Sequence, residues 1–203
     1  MTPAPTILDL CGGTGAWSRP YAEAGYDVRV ITLPEHDVRT YQPPANVHGI
    51  LAAPPCTEFA SSGARWWKQK GEKALLEGLS VVDACLRLVV VCEPAWWVLE
   101  NPVGRLRRWL GPPVHSFDPW EYGDAYTKRT LLWGTFVIPE RRPCEPDPAL
   151  LGTKANRGRG RHSRPQLAFK SKKMPLLPPS ANRATLRAIT PPGFARAFFE
   201  ANP

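Results

Sequence analysis

Thr6-Ile7-Leu8-Asp9-Leu10-Cys11-Gly12-Gly13-Thr14-Gly15 is a short apolar run that ends abruptly in a glycine cluster. The apolar half has the length of a buried strand. The glycines let the chain turn sharply and bring its backbone close to a ligand. A helix is predicted next, from Ala16 to about Glu23, with Gly25 as its stop. A helix start favours negative charge, so strand, glycine turn and helix together suit a nucleotide-like cofactor. The pattern is not the phosphate-binding GxGxxG, because no glycine stands at its third position.

Working outward, Tyr26 to Thr32 alternates apolar and polar residues and predicts a second strand, and Gly49-Ile50-Leu51-Ala52 a third, buried one. Residues 57–70 have no clean period and read as a mobile loop. Leu75, Leu79, Val82 and Leu86 then recur at helical spacing, which predicts a helix from about Gly71 to Val91. A strand over Trp96–Glu100 and a short helix near Arg105–Leu110 follow. Thr130–Gly134 and Phe136–Ile138 read as two strands or one bent one. Phe194–Glu200 closes the chain as a helix entered through Thr190-Pro191-Pro192-Gly193. Strand and helix signals alternate throughout, so the expected fold is α/β, a largely parallel sheet flanked by helices.

Two of these strands end in chemistry. Ala53-Pro54-Pro55-Cys56-Thr57 holds a cysteine behind two prolines, each of which restricts the backbone around it. Glu100-Asn101-Pro102 places a carboxyl at the end of an apolar strand, where partial desolvation raises its pKa and suits it to acid catalysis. Open α/β sheets carry their chemistry at the carboxyl ends of strands. Cys56 is therefore the candidate nucleophile and Glu100 the candidate acid. The commoner fates of such residues are a buried thiol, an exposed turn glutamate and, for Lys128-Arg129, two solvated charges.

Composition narrows the partners. The chain has 203 residues, enough for one well-buried domain, with 26 Lys and Arg against 18 Asp and Glu, a net charge of +8. Between Leu151 and Lys173 stand Lys154, Arg157, Arg159, Arg161, Arg164, Lys170, Lys172 and Lys173 with no acidic residue. That block equals the whole excess and points to a polyanion, although a solvated loop has the same composition. The five cysteines include no C-x-x-C pair and the four histidines are scattered, so no metal is expected. There is no membrane-length apolar stretch and no signal-peptide pattern at Met1–Pro5, which reads as a cytoplasmic, reduced protein.

Taken in order, these pieces resemble the DNA cytosine-C5 methyltransferases, and most closely short phage-borne or bacterial members. Asp9 to Gly15 looks like the first S-adenosylmethionine motif, Pro55-Cys56 the catalytic Pro-Cys, and Glu100-Asn101-Pro102 the Glu-Asn-Val motif with Pro for Val. Thr127-Lys128-Arg129 falls where the family has an Arg-x-Arg pair, and Arg187-Ala188-Ile189-Thr190-Pro191 resembles its late Arg-x-x-Thr-Pro motif. Thr57 stands where a Gln often follows the cysteine, and the final Gly-Asn-Ser motif is absent.

The resemblance implies a Rossmann-like S-adenosylmethionine-dependent methyltransferase fold with a small basic C-terminal lobe. Residues 1–138 would be the catalytic and cofactor-binding domain and 139–180 a reduced basic target-recognition region. Residues 181–203 would form a C-terminal helix returning to the catalytic domain. Catalysis falls to Cys56, Glu100 and Arg129. Asp9, Leu10, Cys11, Gly12, Gly13, Thr14, Gly15, Trp17, Asp37 and Pro54 would hold S-adenosylmethionine. Arg65, Trp66, Lys128, Arg157, Arg159, Arg161, Arg164 and Lys172 would meet DNA, either a duplex with one cytosine flipped out or a single strand. The expected protein is a monomer, in the host cytoplasm if phage-encoded. Rival readings are a non-catalytic nucleic-acid-binding protein on a methyltransferase-like fold, and a C5 methyltransferase of RNA or free cytosine nucleotides.

Overall fold

Side chains alternate between the two faces of a strand, and here that alternation separates two apolar cores. The structure, a computed structural model, describes residues 3–124, 127–144 and 189–203. In β1 (Thr6–Leu10), Leu8 and Leu10 face one core while Ile7 faces the other. Leu51 in β3 (Val47–Ala52) and Val98 in β4 (Trp96–Pro102) share the core of Ile7. Ile50, Ala52 and Leu99 share that of Leu8. The sheet is therefore covered on both sides.

One cover is α2 (Trp67–Cys92), whose Val82, Cys85 and Leu88 are buried against Leu8, Ile50 and Leu99. The other combines α1 (Arg19–Glu23) with the final helix, α4 (Pro192–Ala201), while the four-residue α3 (Arg107–Leu110) follows β4 in the chain. A five-residue helix such as α1 is not stable alone. Packing holds it: Tyr21 is fully buried and its hydroxyl donates to the Asn202 carbonyl at 2.8 Å. Phe194 of α4 stacks on Phe117 with ring centroids 3.7 Å apart, and Phe198 meets Trp17 and Trp96 edge-on. Fully burying one such side chain contributes about 1.5–3 kcal/mol, so these aromatics outweigh the missing caps.

The sheet has six strands in the order β2-β1-β3-β4-β6-β5, with β2 at Asp27–Ile31, β5 at His115–Phe117 and β6 at Thr130–Thr135. β2, β1, β3 and β4 are parallel neighbours, whereas β6 pairs antiparallel with both β4 and β5. Only β6 is reversed, so the largely parallel α/β sheet expected from sequence is present. Gly134 makes the β4–β6 approach possible: a Cβ there would lie 2.1 Å from the Trp97 carbonyl oxygen.

Several boundaries differ from the sequence reading. The helix expected from Ala16 begins only at Arg19, after a run of turns, with Pro20 in its first turn. Residues expected to form a loop before Gly71 are instead a 3-10 turn over Ser61–Trp66 running into α2. Gly71, at φ 74°, kinks that helix where its extension joins. Phe136–Ile138 are not a strand. The three-residue β5, caught between Pro113 and Pro119, was not expected because it has no period of its own. Among the described residues no helix is long and apolar enough to cross a membrane.

Candidate active site

Three strand ends converge. Leu10 closes β1 and Ala52 closes β3, and the pairing of β3 with β4 stops at Leu99, with Leu10 opposite Ala52 and Ala52 opposite Leu99. The turn after β1, the Pro-Pro-Cys segment after β3 and the last residues of β4 therefore emerge along one edge. Two hydrogen bonds tie them together. The Ala53 amide donates to the Leu10 carbonyl at 2.9 Å, and the buried Asn101 Nδ2 donates to the Pro54 carbonyl at 3.0 Å. The resulting cleft is lined by Asp9, Gly12, Gly13, Trp17, Pro54, Cys56, Glu100, Lys128 and Thr190, among others.

Alternation also settles which way the carboxyls point. Leu8, Leu10 and Leu99 face α2, so Asp9 and Glu100 project with Ile7 and Val98 toward α1 and α4. Asp9 is fully buried. Ser18 donates to its Oδ2 at 2.6 Å, while Oδ1 has no hydrogen-bond partner among the described residues. Burial dominates, and the Asp9 pKa is pushed up to about 6 despite the Ser18 bond. The turn folds directly over it: a Cβ on Gly12 would sit 2.3 Å from Asp9 Cγ, so no other residue fits there. Gly13, at φ 56°, has open space beside its Cα. Trp17 Nε1 is a second buried, unpartnered polar atom on a cleft-lining residue. Buried polar atoms without partners are costly, and a polar ligand seated in the cleft would supply partners for these two.

Cys56 is exposed at the cleft, and all five cysteines are thiols. Glu100 keeps some exposure at the cleft, but burial of its carboxyl raises its pKa, and the nearby Lys128 ammonium opposes that rise. A thiol, an acid held toward its neutral form and a cation thus share one wall. That set can add a nucleophile to an electron-poor ring while protonating it.

Arg129, expected to be catalytic, does not line the cleft. It bonds Asp118 at 3.2 Å and Ser116 at 2.7 Å. Lys128 does line it, together with Glu100 and Trp17, and these three also line a smaller pocket with Thr130 and Phe194. The physical reason is again strand parity. Thr130 and Leu132 face α4 in β6, and Lys128 continues that face while Arg129 takes the other.

Two of the expected cofactor residues also lie elsewhere. Leu10 is core, and Asp37 is clamped by Arg39, whose guanidinium holds its carboxyl below the usual range. Cys11, Thr14 and Pro54 do line the cleft, and Gly15 shapes the turn at φ 67°. Arg65 lies 5.0 Å over the ring of the exposed Trp66. Arg157, Arg159, Arg161, Arg164 and Lys172 lie outside the described residues. Sequence reasoning did not name Ser18, Asn101 or Thr190 as site residues. Asn101 and Thr190 did carry a signal, Asn101 as the neighbour of Glu100 and Thr190 inside the Arg187–Pro191 motif; Ser18 carried none. Among the described residues no cluster of three or more His, Cys, Asp or Glu could hold a metal.

No protein-family profile matches the sequence, and no curated protein matches it. Among solved structures, the chain is similar to a candidate DNA modification methyltransferase encoded within an E. coli prophage. The identity is 18% and the TM-score 0.44, over 65% of this chain and 47% of that one. The chain thus spans about half the length of that protein.

Proposed function

We propose that this chain methylates C5 of cytosine in DNA through a covalent adduct between Cys56 and C6. The observation that carries the reading is the shared cleft: the Cys56 thiol, the Glu100 carboxyl and the glycine turn over Asp9 line one cavity at adjoining strand ends. Asp9, Cys11 to Gly15, Trp17 and Pro54 are the residues that would hold S-adenosylmethionine, which supplies a methyl group on a positively charged sulfur.

Cytosine C5 is too electron-poor to take up a methyl group unaided. Addition of the Cys56 sulfur at C6 turns the ring into an enamine and makes C5 nucleophilic. Negative charge that develops toward N3 and O2 needs a donor. Glu100, held toward its protonated form by burial, gives its proton to N3, and the Lys128 ammonium balances the charge left behind. Once C5 carries the methyl group, loss of the C5 proton re-forms the ring double bond and expels the Cys56 thiolate. A cytosine inside a duplex cannot present C6 to this wall, so the base must be flipped out or already unpaired.

The test is incubation of the full chain with labelled S-adenosylmethionine and DNA containing 5-fluorocytosine, in which fluorine replaces the C5 proton and blocks the final elimination. A covalent protein–DNA adduct carrying the label, and absent in Cys56→Ser, is expected. Cofactor binding without any adduct would overturn the reading in favour of a non-catalytic binding protein.

A further inference from the structure

Beyond the cleft, two segments with no acidic residue are zipped together at its edge. One runs from Phe59 to Gly71 and the other from Asn101 to Phe117. The Ser61 amide donates to the Val103 carbonyl and the Arg105 amide to the Phe59 carbonyl, each at 2.9 Å. Gly104 bridges Ala60, and a Cβ on it would lie 1.9 Å from the Phe59 carbonyl oxygen. Arg105 is turned inward: its Nε donates to the Glu58 carbonyl at 2.6 Å, and its guanidinium lies 4.4 Å over Trp67. Trp109 meets the buried Phe59 edge-on at 6.4 Å.

What this pair of segments leaves outside is a set of cations and indoles. Arg65, Lys68, Arg107 and Arg108 are exposed, and none of them has an ion pair among the described residues. Glu58, the acid just before the first segment, is mostly covered and already bonded to Lys70 at 2.7 Å. Trp66 is 48% exposed and Trp109 44% exposed, large apolar rings that a protein normally covers. Unpaired cations interleaved with flat aromatic faces match a phosphodiester backbone with its sugars and bases.

We infer that Arg107, Arg108 and Trp109, beside Arg65 and Trp66, form a second nucleic-acid contact surface that grips the duplex DNA backbone next to the cleft. The inference rests on the proposed reading of the chain as a DNA-modifying enzyme. It uses none of the residues of the basic block at 151–173: it is built on the segment that follows β4 and is anchored to the segment that follows Cys56.

The experiment measures fluorescence anisotropy of a short labelled duplex with the full chain over a range of salt concentrations. It compares the wild type with Arg107→Ala/Arg108→Ala. A second pair, Arg29→Ala/Arg196→Ala, removes the same net charge from exposed arginines on β2 and α4. Calorimetric titration with S-adenosylmethionine checks that each variant keeps its cleft. Loss of two phosphate contacts should weaken binding about tenfold or more at low salt. It should also reduce the slope of log affinity against log salt by about 1.8. The control pair should leave the slope unchanged. Wild-type slope and affinity in Arg107→Ala/Arg108→Ala would overturn the surface while leaving the proposed reaction standing. Failure of the wild type to bind DNA would sink both. Tighter binding of an RNA hairpin than of the duplex, with the same loss in the variant, would overturn the assignment to DNA.

Discussion

Asp9→Asn isolates the electrostatics of the glycine turn. The Asp9 carboxyl is fully buried, hydrogen-bonded by Ser18, and its pKa rises from 3.8 to about 6 because burial disfavours the charged form. At about 1.4 kcal/mol for each pH unit, that rise corresponds to about 3 kcal/mol. The sign follows from linkage. Between the two values the folded protein still holds a proton that the unfolded chain has released, so wild-type stability falls as pH rises through that window. Below about pH 4 the penalty is absent; above about pH 6 it is complete.

Asn cannot ionise, so the variant escapes the fall. The stability of Asp9→Asn relative to wild type should therefore increase by about 3 kcal/mol from the acid side of this window to the neutral side. Constant differences, such as a changed bond to Ser18, shift both ends equally and do not affect that increase. Urea denaturation of both proteins at matched pH values measures it. A difference that stays flat within about 0.5 kcal/mol across the window would refute the claim that Asp9 is desolvated in the fold.

Four other substitutions bear on the site. Lys128→Met should lower methyl transfer and move the alkaline fall of kcat/KM to higher pH, because Lys128 opposes the raised pKa of Glu100 and Glu100 must be protonated to act; Arg129→Met should mainly lower thermal stability by breaking its bonds to Asp118 and Ser116. Pre-steady-state rates across pH distinguish the two, and equal kinetic effects would contradict the assignment of Lys128 to the cleft. Gly12→Ala pushes a methyl group into Asp9 and should cost about 1–3 kcal/mol of stability together with most cofactor affinity, read by thermal melts and calorimetry. Asn101→Ala leaves the Pro54 carbonyl without its donor and should cost about 1–3 kcal/mol, with reduced transfer as the two strand ends loosen.

Much of the architecture was legible because it is local. The apolar runs at Thr6–Leu10, Gly49–Ala52 and Trp96–Leu99 are short, β-favouring and ended by glycine or proline, so their strands and the chemistry beyond them could be read without coordinates. Cys56 and Glu100 were legible as candidates for the same reason: Glu100 directly follows such a run, and Cys56 follows one across Ala53-Pro54-Pro55. Boundaries set by packing were less visible. The α2 helix begins at Trp67, before its apolar stripe, and β5 exists only because β6 lies beside it.

The sequence alone thus determined the strand-turn-helix opening, the alternation of elements, and the thiol and carboxyl at two strand ends. Each of these depends on residues close along the chain. Tertiary structure decided which of two adjacent cations meets the carboxyl. That choice depends on the pairing of Glu100 with Leu132 across β4 and β6, a long-range register that no local period encodes. It also decided that Asp9 is a strongly perturbed acid, since its desolvation comes from the turn folding back over its carboxyl and from burial of β1 inside the sheet between two cores.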